Sequence, residues 1–157
     1  MTEVATRIEG RAGRITLTRP QALNALTPGM VTAIQAALDA WRDDPAVALV
    51  LMEGEGERAF CAGGDVAAIY HRARRGDLAF ARDFWAEEFR LNADIAGYPK
   101  PIVVRMHGHV LGGGVGLAGH ASHRLVGETS RVAMPECTIG YVPDVGGTHL
   151  LARAPGH

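Results

Sequence analysis

Two carboxylates lie close together in a stretch that contains no other charged residue. Glu136 and Asp144 fall within residues 134–147, MPECTIGYVPDVGG, and no Lys, Arg or His lies there to neutralise them. Carboxyl groups in apolar surroundings have shifted protonation equilibria, and enzymes use such groups as acids or bases near neutral pH. The pattern also fits two solvated acids on a Pro- and Gly-rich loop. The pair is therefore a candidate catalytic centre that needs support from elsewhere in the chain.

Two glycine-rich junctions offer that support. Residues 60–65, FCAGGD, and residues 107–119, HGHVLGGGVGLAG, each join a predicted strand to a predicted helix. Glycines allow tight turns, and the free N–H groups at a helix start favour negative charge. Two such donors that converge on one point would form an oxyanion hole for an enolate or a tetrahedral thioester intermediate. The first junction also reads as an ordinary strand-to-helix turn in which Asp65 caps the helix.

A nucleotide-binding interpretation of the second junction is disfavoured. Residues 114–119 match the G-x-G-x-x-G pattern, which is weak by itself. The expected acidic residue should end a strand about twenty positions later, whereas Glu136 follows Met134 and Pro135. No separate cofactor is predicted from this pattern.

Other reactive side chains have ordinary explanations as well as functional ones. Glu88 interrupts an apolar helical stripe, and periodicity alone favours a carboxylate that reaches water at the helix edge. An acid buried in that stripe would instead need a partner or a function. Cys61 has no adjacent activator, so a small buried residue is favoured over a nucleophile. The histidine pairs 107/109 and 120/123 lack accompanying ligands, and no metal site is predicted.

Composition excludes several classes of function. The 157 residues are 47% hydrophobic and 21% charged, with a formal net charge of −1. That balance offers no basic surface for nucleic acid or a membrane, and no apolar run reaches membrane-spanning length. Two cysteines and an N-terminus without signal-peptide character predict a cytoplasmic protein.

We expect one domain over residues 1–157. The chain ends at residues 155–157, just after a helix has begun, and this predicts that a C-terminal part is missing.

The order of predicted elements indicates an α/β fold. Residues 5–18 read as a hairpin, residues 46–52 and 101–106 as buried strands, and residues 123–126 and 131–133 as short strands. Periodicity and capping signals predict helices at 27–43, 65–75, 77–96, 113–119 and 145–152.

With these residues in view, the chain resembles the crotonase, or enoyl-CoA hydratase/isomerase, superfamily. The resemblance rests on five motifs in the same order and register, and it covers nearly the whole chain. They are residues 19–26, RPQALNAL; 59–65, AFCAGGD; 111–117, LGGGVGL; 134–136, MPE; and 142–147, VPDVGG.

The resemblance implies an acyl-CoA thioester as substrate, with coenzyme A as part of that substrate rather than a cofactor. The thioester carbonyl would lie between the N–H groups of Gly64 and Gly113. Other expected substrate contacts are Ala62, Gly63 and Asp65 in the first junction and Ala22 and Leu23 in the N-terminal motif. The implied fold consists of repeated β-β-α units, followed by C-terminal helices that this chain lacks and that support homo-oligomers.

Within the family, three positions resemble the 3-hydroxyisobutyryl-CoA hydrolases of valine breakdown. Gly116 stands where hydratases carry one of two glutamates, Glu136 keeps the other, and Asp144 stands where hydratases often have glycine. The family's additional active-site acid falls on Glu88. The resemblance implies thioester hydrolysis, with Glu136 as nucleophile or base and Asp144 orienting the 3-hydroxyl or sharing a proton with Glu136. An enoyl-CoA isomerase or hydratase that uses Glu136 as base, and an inactive fragment that only binds or assembles, stay open.

Overall fold

Two β-sheets organise the chain, and the computed structural model describes them within residues 2–154. Strands β1, β2, β3, β5 and β7 form one sheet in that order, and β4, β6 and β8 form the other. The strand bounds are β1 Val4–Glu9, β2 Ala12–Leu17, β3 Leu49–Gly54, β4 Ala59–Cys61, β5 Ile102–Arg105, β6 His109–Leu111, β7 His123–Leu125 and β8 Arg131–Ala133. Only β1 and β2 pair antiparallel, and every other pairing between these strands is parallel.

The α-helices connect or follow these strands along the chain, and three of them begin at predicted capping residues. Their bounds are α1 Pro28–Arg42, α2 Val66–Ala73, α3 Leu78–Ala96, α4 Gly113–Gly119 and α5 Gly147–Ala152, with 3₁₀-helices at Pro20–Ala22 and Glu136–Ile139. Thr27 accepts a hydrogen bond from the Met30 N–H at 3.1 Å, with Pro28 at the first helical position. Asp65 and Asp77 cap α2 and α3 in the same way. These side chains satisfy N–H groups that a helix start leaves without partners.

The chain passes from the first sheet to the second three times. Strands β3, β5 and β7 lie in the five-stranded sheet, and each is followed by a strand of the three-stranded sheet, namely β4, β6 and β8. Helix α2 follows the first of these strand pairs, and α4 follows the second. The predicted α/β fold of repeated β-β-α units is therefore confirmed.

The sequence patterns missed β4 and β6 as separate strands. Each has only three residues and ends beside glycines, so neither shows the alternation that predicts a strand. β3 also begins later than predicted, at Leu49.

The single-domain prediction stays a prediction. Residues 155–157, from which a missing C-terminal part was inferred, lie outside the described residues. No helix within residues 2–154 is long and apolar enough to cross a membrane.

Candidate active site

The carboxyl ends of three parallel strands bring the predicted site together. β4 leads into Gly63 and Gly64, β6 into Gly112 and Gly113, and β8 into Glu136. These strands are neighbours in one sheet, in the order β4-β6-β8. Because parallel neighbours end at the same edge of a sheet, segments far apart in sequence meet there.

The two glycine junctions touch each other at this edge. Gly63 has a φ of +99°, and a Cβ built on it would lie 3.1 Å from the Leu111 carbonyl oxygen and 3.5 Å from the Gly113 nitrogen. Only glycine fits this conformation and this close approach. Within residues 2–154, neither the Gly64 N–H nor the Gly113 N–H donates to a protein acceptor. Both predicted oxyanion donors are therefore available to a ligand.

Glu136 enters the site from the first position of its 3₁₀-helix. Its side chain is buried, with 7% of the residue's surface exposed, and one carboxylate oxygen, Oε2, has no hydrogen-bond partner among the described residues. The other oxygen lies beside Gly112, where a Cβ would approach it to 2.7 Å. Burial raises the pKa of Glu136 and nearby Asp144 adds to the shift, while a backbone N–H opposes it.

Glu88 is buried in the same site, so the helix-edge exposure that periodicity alone favoured is wrong. The residue is 2% exposed on α3, and its Oε1 lies against Gly113 without a hydrogen-bond partner in the described chain. A glycine at that point lets the loop approach the helix and cover the carboxylate. Burial, then Asp144, then Glu136 raise the pKa of Glu88 to about 8. Glu88 is therefore mostly protonated at neutral pH and can donate a hydrogen bond.

Asp144 completes a group of three acids. It is half-buried in the segment between the Glu136–Ile139 3₁₀-helix and α5. Burial raises its pKa, an effect that a backbone N–H and the Tyr141 hydroxyl oppose. Since Asp144 raises the pKa values of both Glu88 and Glu136, the three groups should titrate as a coupled set.

These groups line a pocket of about 340 Å³. The predicted residues that line it are Ala62, Gly63, Gly64, Glu88, Gly113, Glu136 and Asp144. Sequence reasoning missed other lining residues, including Val66, Ile69, Tyr70, Trp85, Pro135, Ile139 and Tyr141. Trp85 could have been found from its position three residues before Glu88, since that spacing places two side chains on one helix face.

Three predicted substrate contacts lie outside the pocket lining. Asp65 caps α2 and pairs with Arg19 at 3.1 Å. Ala22 ends the first 3₁₀-helix, and the Leu23 carbonyl accepts the Ala62 N–H at 3.0 Å. In this structure they hold the first glycine junction in place, and their role in substrate binding stays a prediction.

Gly116, the position that distinguishes the hydratase pattern, is tightly enclosed. A Cβ built there would lie 2.9 Å from the Asn92 amide atoms and from the Val145 Cβ. Asn92 is itself buried on α3, one turn after Glu88. No acidic side chain fits at position 116 unless Asn92 or Val145 moves.

The remaining reactive side chains have structural surroundings. Cys61 is fully buried, and burial raises the pKa of its thiol to about 12, which suits a packing residue and not a nucleophile. The ring nitrogens of His107 and His120 lie 2.8 Å and 2.7 Å from the carbonyls of Gly56 and Val145. Among the described residues, no group of three or more His, Cys, Asp or Glu side chains is placed to hold a metal ion.

Curated relatives that match nearly the whole of this chain are much longer than it is. A 3-hydroxyisobutyryl-CoA hydrolase of Xenopus tropicalis is 48% identical over 147 residues, which cover 94% of this chain and 38% of that protein. The Homo sapiens protein of the same name is 43% identical over 154 residues, covering 98% of this chain and 40% of the relative. Both names call those proteins mitochondrial, so they do not support the predicted cytoplasmic location.

Solved structures share the fold across the described chain. An enoyl-CoA hydratase of Rhodobacter sphaeroides 2.4.1 is 62% identical with a TM-score of 0.94, over 98% of this chain and 46% of that one. A carnitinyl-CoA dehydratase of Mycobacterium thermoresistibile is 55% identical with a TM-score of 0.94, over 98% of this chain and 45% of that one. A family profile described as Enoyl-CoA hydratase/isomerase matches residues 12–157. The chain therefore belongs to the enoyl-CoA hydratase/isomerase family, as the order of its five sequence motifs predicted.

Proposed function

We propose that the intact protein hydrolyses a CoA thioester, and that its substrate is 3-hydroxyisobutyryl-CoA, an intermediate of valine breakdown. The observation that carries this proposal is one pocket that holds the buried Glu136, Glu88, Asp144 and the N–H groups of Gly64 and Gly113. Neither N–H has a protein acceptor within residues 2–154. The names of the curated relatives support the choice of acyl group.

The two backbone donors act on the thioester carbonyl. In the proposed complex, its oxygen accepts hydrogen bonds from the N–H groups of Gly64 and Gly113. These bonds strengthen as negative charge develops on that oxygen in the transition state, because the backbone holds the donors in place before the reaction. Loss of one such donor typically lowers the rate by roughly a hundredfold or more.

Glu136 acts on the thioester carbon by one of two routes. In the first, its carboxylate attacks the carbonyl carbon, the C–S bond breaks, CoA leaves and takes up a proton, and water hydrolyses the resulting anhydride. In the second, Glu136 takes a proton from a water that attacks the same carbon. After many turnovers in isotopically labelled water, label in the Glu136 side chain would identify the first route.

Glu88 and Asp144 act on the acyl group in this proposal. A protonated Glu88 donates a hydrogen bond to the substrate, whereas an ionised Asp144 accepts one from the substrate's 3-hydroxyl. A site built to pair a hydroxyl rejects analogues that lack it, because its buried polar groups are then left unpaired.

A second candidate is an enoyl-CoA hydratase that uses Glu136 as base. The name of the Rhodobacter relative favours it, and Glu88 would supply a second acid in the pocket. Gly116 argues against it, since this chain has no acid at the usual hydratase position and a Cβ there would lie 2.9 Å from Asn92 and Val145.

One pair of assays separates these candidates. Release of free thiol from 3-hydroxyisobutyryl-CoA, without loss of absorbance from an enoyl-CoA, is the expected result. The reverse result would establish the hydratase and overturn the hydrolase. The isolated 157-residue chain should be assayed beside the intact protein, because ligand binding without turnover there would mark it as a binding module.

A further inference from the structure

Two stacked aromatic rings lie in the wall of the pocket. The Tyr141 hydroxyl lowers the pKa of Asp144, but the chemistry proposed for the acids gives neither ring a role. The ring centroids of Trp85 and Tyr141 are 5.4 Å apart, the ring planes are 14° from parallel, and both residues line the pocket. We propose that this pair is the end wall of the acyl site and restricts the enzyme to short acyl chains. The proposal rests on the proposed function, because it assumes an acyl-CoA ligand.

Each ring is fixed to a segment that carries one of the acids. Trp85 lies three residues before Glu88 on α3, so both side chains share one helix face. Tyr141 lies three residues before Asp144, and its N–H donates to the Glu136 carbonyl at 3.0 Å. An acyl group whose carbonyl lies at Gly113 and whose chain passes Glu88 and Asp144 therefore extends toward the rings.

The rings can act as a rigid barrier. Both residues are half-buried, and Trp85 packs against the hydrophobic core. Large aromatic side chains have few rotamers, and close-packed groups do not compress to admit additional methylenes. The pocket volume of about 340 Å³ is near the lower end of the range of roughly 300–1,000 Å³ for small-molecule sites. A wall at this point would make the pocket discriminate between acyl groups by the length of their chains.

The stack could instead serve only to hold the segment of Tyr141 against α3. That role predicts that loss of either ring weakens the binding of long and short acyl chains equally. A length-limiting wall predicts a change in the ratio between long and short chains. Affinity for a series of chain lengths is therefore the measurement that distinguishes them.

The experiment measures binding of three ketone analogues of acyl-CoA to the intact protein by calorimetry. In each, a CH2 group replaces the thioester sulfur, the carbonyl is kept, and the acyl chain ends in a propyl, hexyl or decyl group. These ligands cannot be hydrolysed, so the readout does not depend on turnover. Trp85→Ala and Tyr141→Ala should raise the affinity for the decyl ligand relative to the propyl ligand by roughly tenfold or more. Trp85→Leu tests the same point if the alanine variants do not fold. Two controls should keep the wild-type ratio: Tyr141→Phe, which retains the ring, and Phe89→Ala, an exposed aromatic on α3 outside this pocket.

The outcomes separate this inference from the proposed function. Short-chain preference in the wild type, relaxed in the wall variants only, supports the wall, and it does so even if no thioester is hydrolysed. Equal affinity of the wild type for all three ligands, or an unchanged ratio in the folded wall variants, overturns the wall even where hydrolysis is confirmed. If none of the three ligands binds, the wall is overturned, and free-thiol release from 3-hydroxyisobutyryl-CoA decides the proposed function separately.

Discussion

Glu88 and Glu136 lie against adjacent glycines of one loop, although they come from different elements and are 48 positions apart in the sequence. An oxygen of Glu88 contacts Gly113, and an oxygen of Glu136 lies beside Gly112. Each carboxyl group has one buried oxygen without a protein partner in the described residues. Buried acids this close to one another do not ionise independently, because each charge raises the cost of the next. The junction that presents the oxyanion donor therefore also helps to bury the acids, and burial is the largest cause of their raised pKa values.

Glu136→Gln should abolish thioester hydrolysis and leave acyl-CoA binding intact. The amide keeps the size of the side chain but neither attacks a carbonyl nor takes a proton from water. We expect kcat to fall by at least roughly a hundredfold, the lower range for loss of a general base. Turnover by free-thiol release and affinity by calorimetry check this, and turnover at the wild-type rate would remove Glu136 from the mechanism.

Glu88→Gln should stabilise the fold increasingly as the pH rises. The pKa of Glu88 is about 8 in the folded protein, against a reference value of 4.5. Between these values the folded state retains a proton that the unfolded state has lost, so the stability of the wild type falls as the pH rises through this window. Glutamine removes that loss, which leaves a gain of up to about 4 kcal/mol near pH 8 and almost none below pH 4.5. Urea unfolding at both ends of the window measures the difference, and a gain independent of pH would contradict it.

The raised pKa of Glu88 also predicts a fall in the activity of the wild type at alkaline pH. If protonated Glu88 donates a hydrogen bond to the substrate, kcat/KM should decline as the pH rises through about 8, where the proton is lost. Glu88→Gln keeps a donor at every pH, so its profile should lack this decline. Identical alkaline limbs in the two proteins would show that the proton of Glu88 is not used.

Gly116→Ala should destabilise the wild type more than it destabilises a protein that also carries Asn92→Ala. The added methyl group would lie 2.9 Å from the Asn92 amide atoms and from the Val145 Cβ. Overpacking of this kind costs roughly 1–3 kcal/mol, and removal of Asn92 relieves two of the three contacts. A double-mutant cycle in urea measures this coupling. Equal costs in the two backgrounds would show that Asn92 does not enclose position 116.

The two cysteines should differ sharply in their reactivity toward iodoacetamide in the native protein. Cys137 is exposed, whereas Cys61 is fully buried with its thiol pKa raised to about 12. Alkylation requires an accessible thiolate, so only Cys137 should react before unfolding. Peptide mass spectrometry before and after denaturation gives the answer. Rapid labelling of Cys61 in the native protein would be inconsistent with its burial within the first glycine junction.

Much of this protein could be predicted from local signals in its sequence. Thr27, Asp65 and Asp77 marked helix starts, because a capping side chain satisfies N–H groups only a few residues away. The two glycine junctions and the Glu136 and Asp144 pair were also visible, since each depends on residue types within a short segment. The sequence by itself determined which groups were available and on which elements most of them lie.

Only the tertiary structure decided how those groups are arranged. Strands β4 and β6 are too short to show a period, yet their parallel alignment with β8 brings both glycine junctions and Glu136 to one edge. Helical periodicity by itself favoured a helix-edge position for Glu88, but the side chain is buried against Gly113, a residue distant in the sequence. Trp85 meets Tyr141, and Asn92 fills the space beside Gly116, by long-range packing alone. Burial and charge proximity depend on such distant contacts, so the pKa shifts of the site are properties of the fold and not of any single segment.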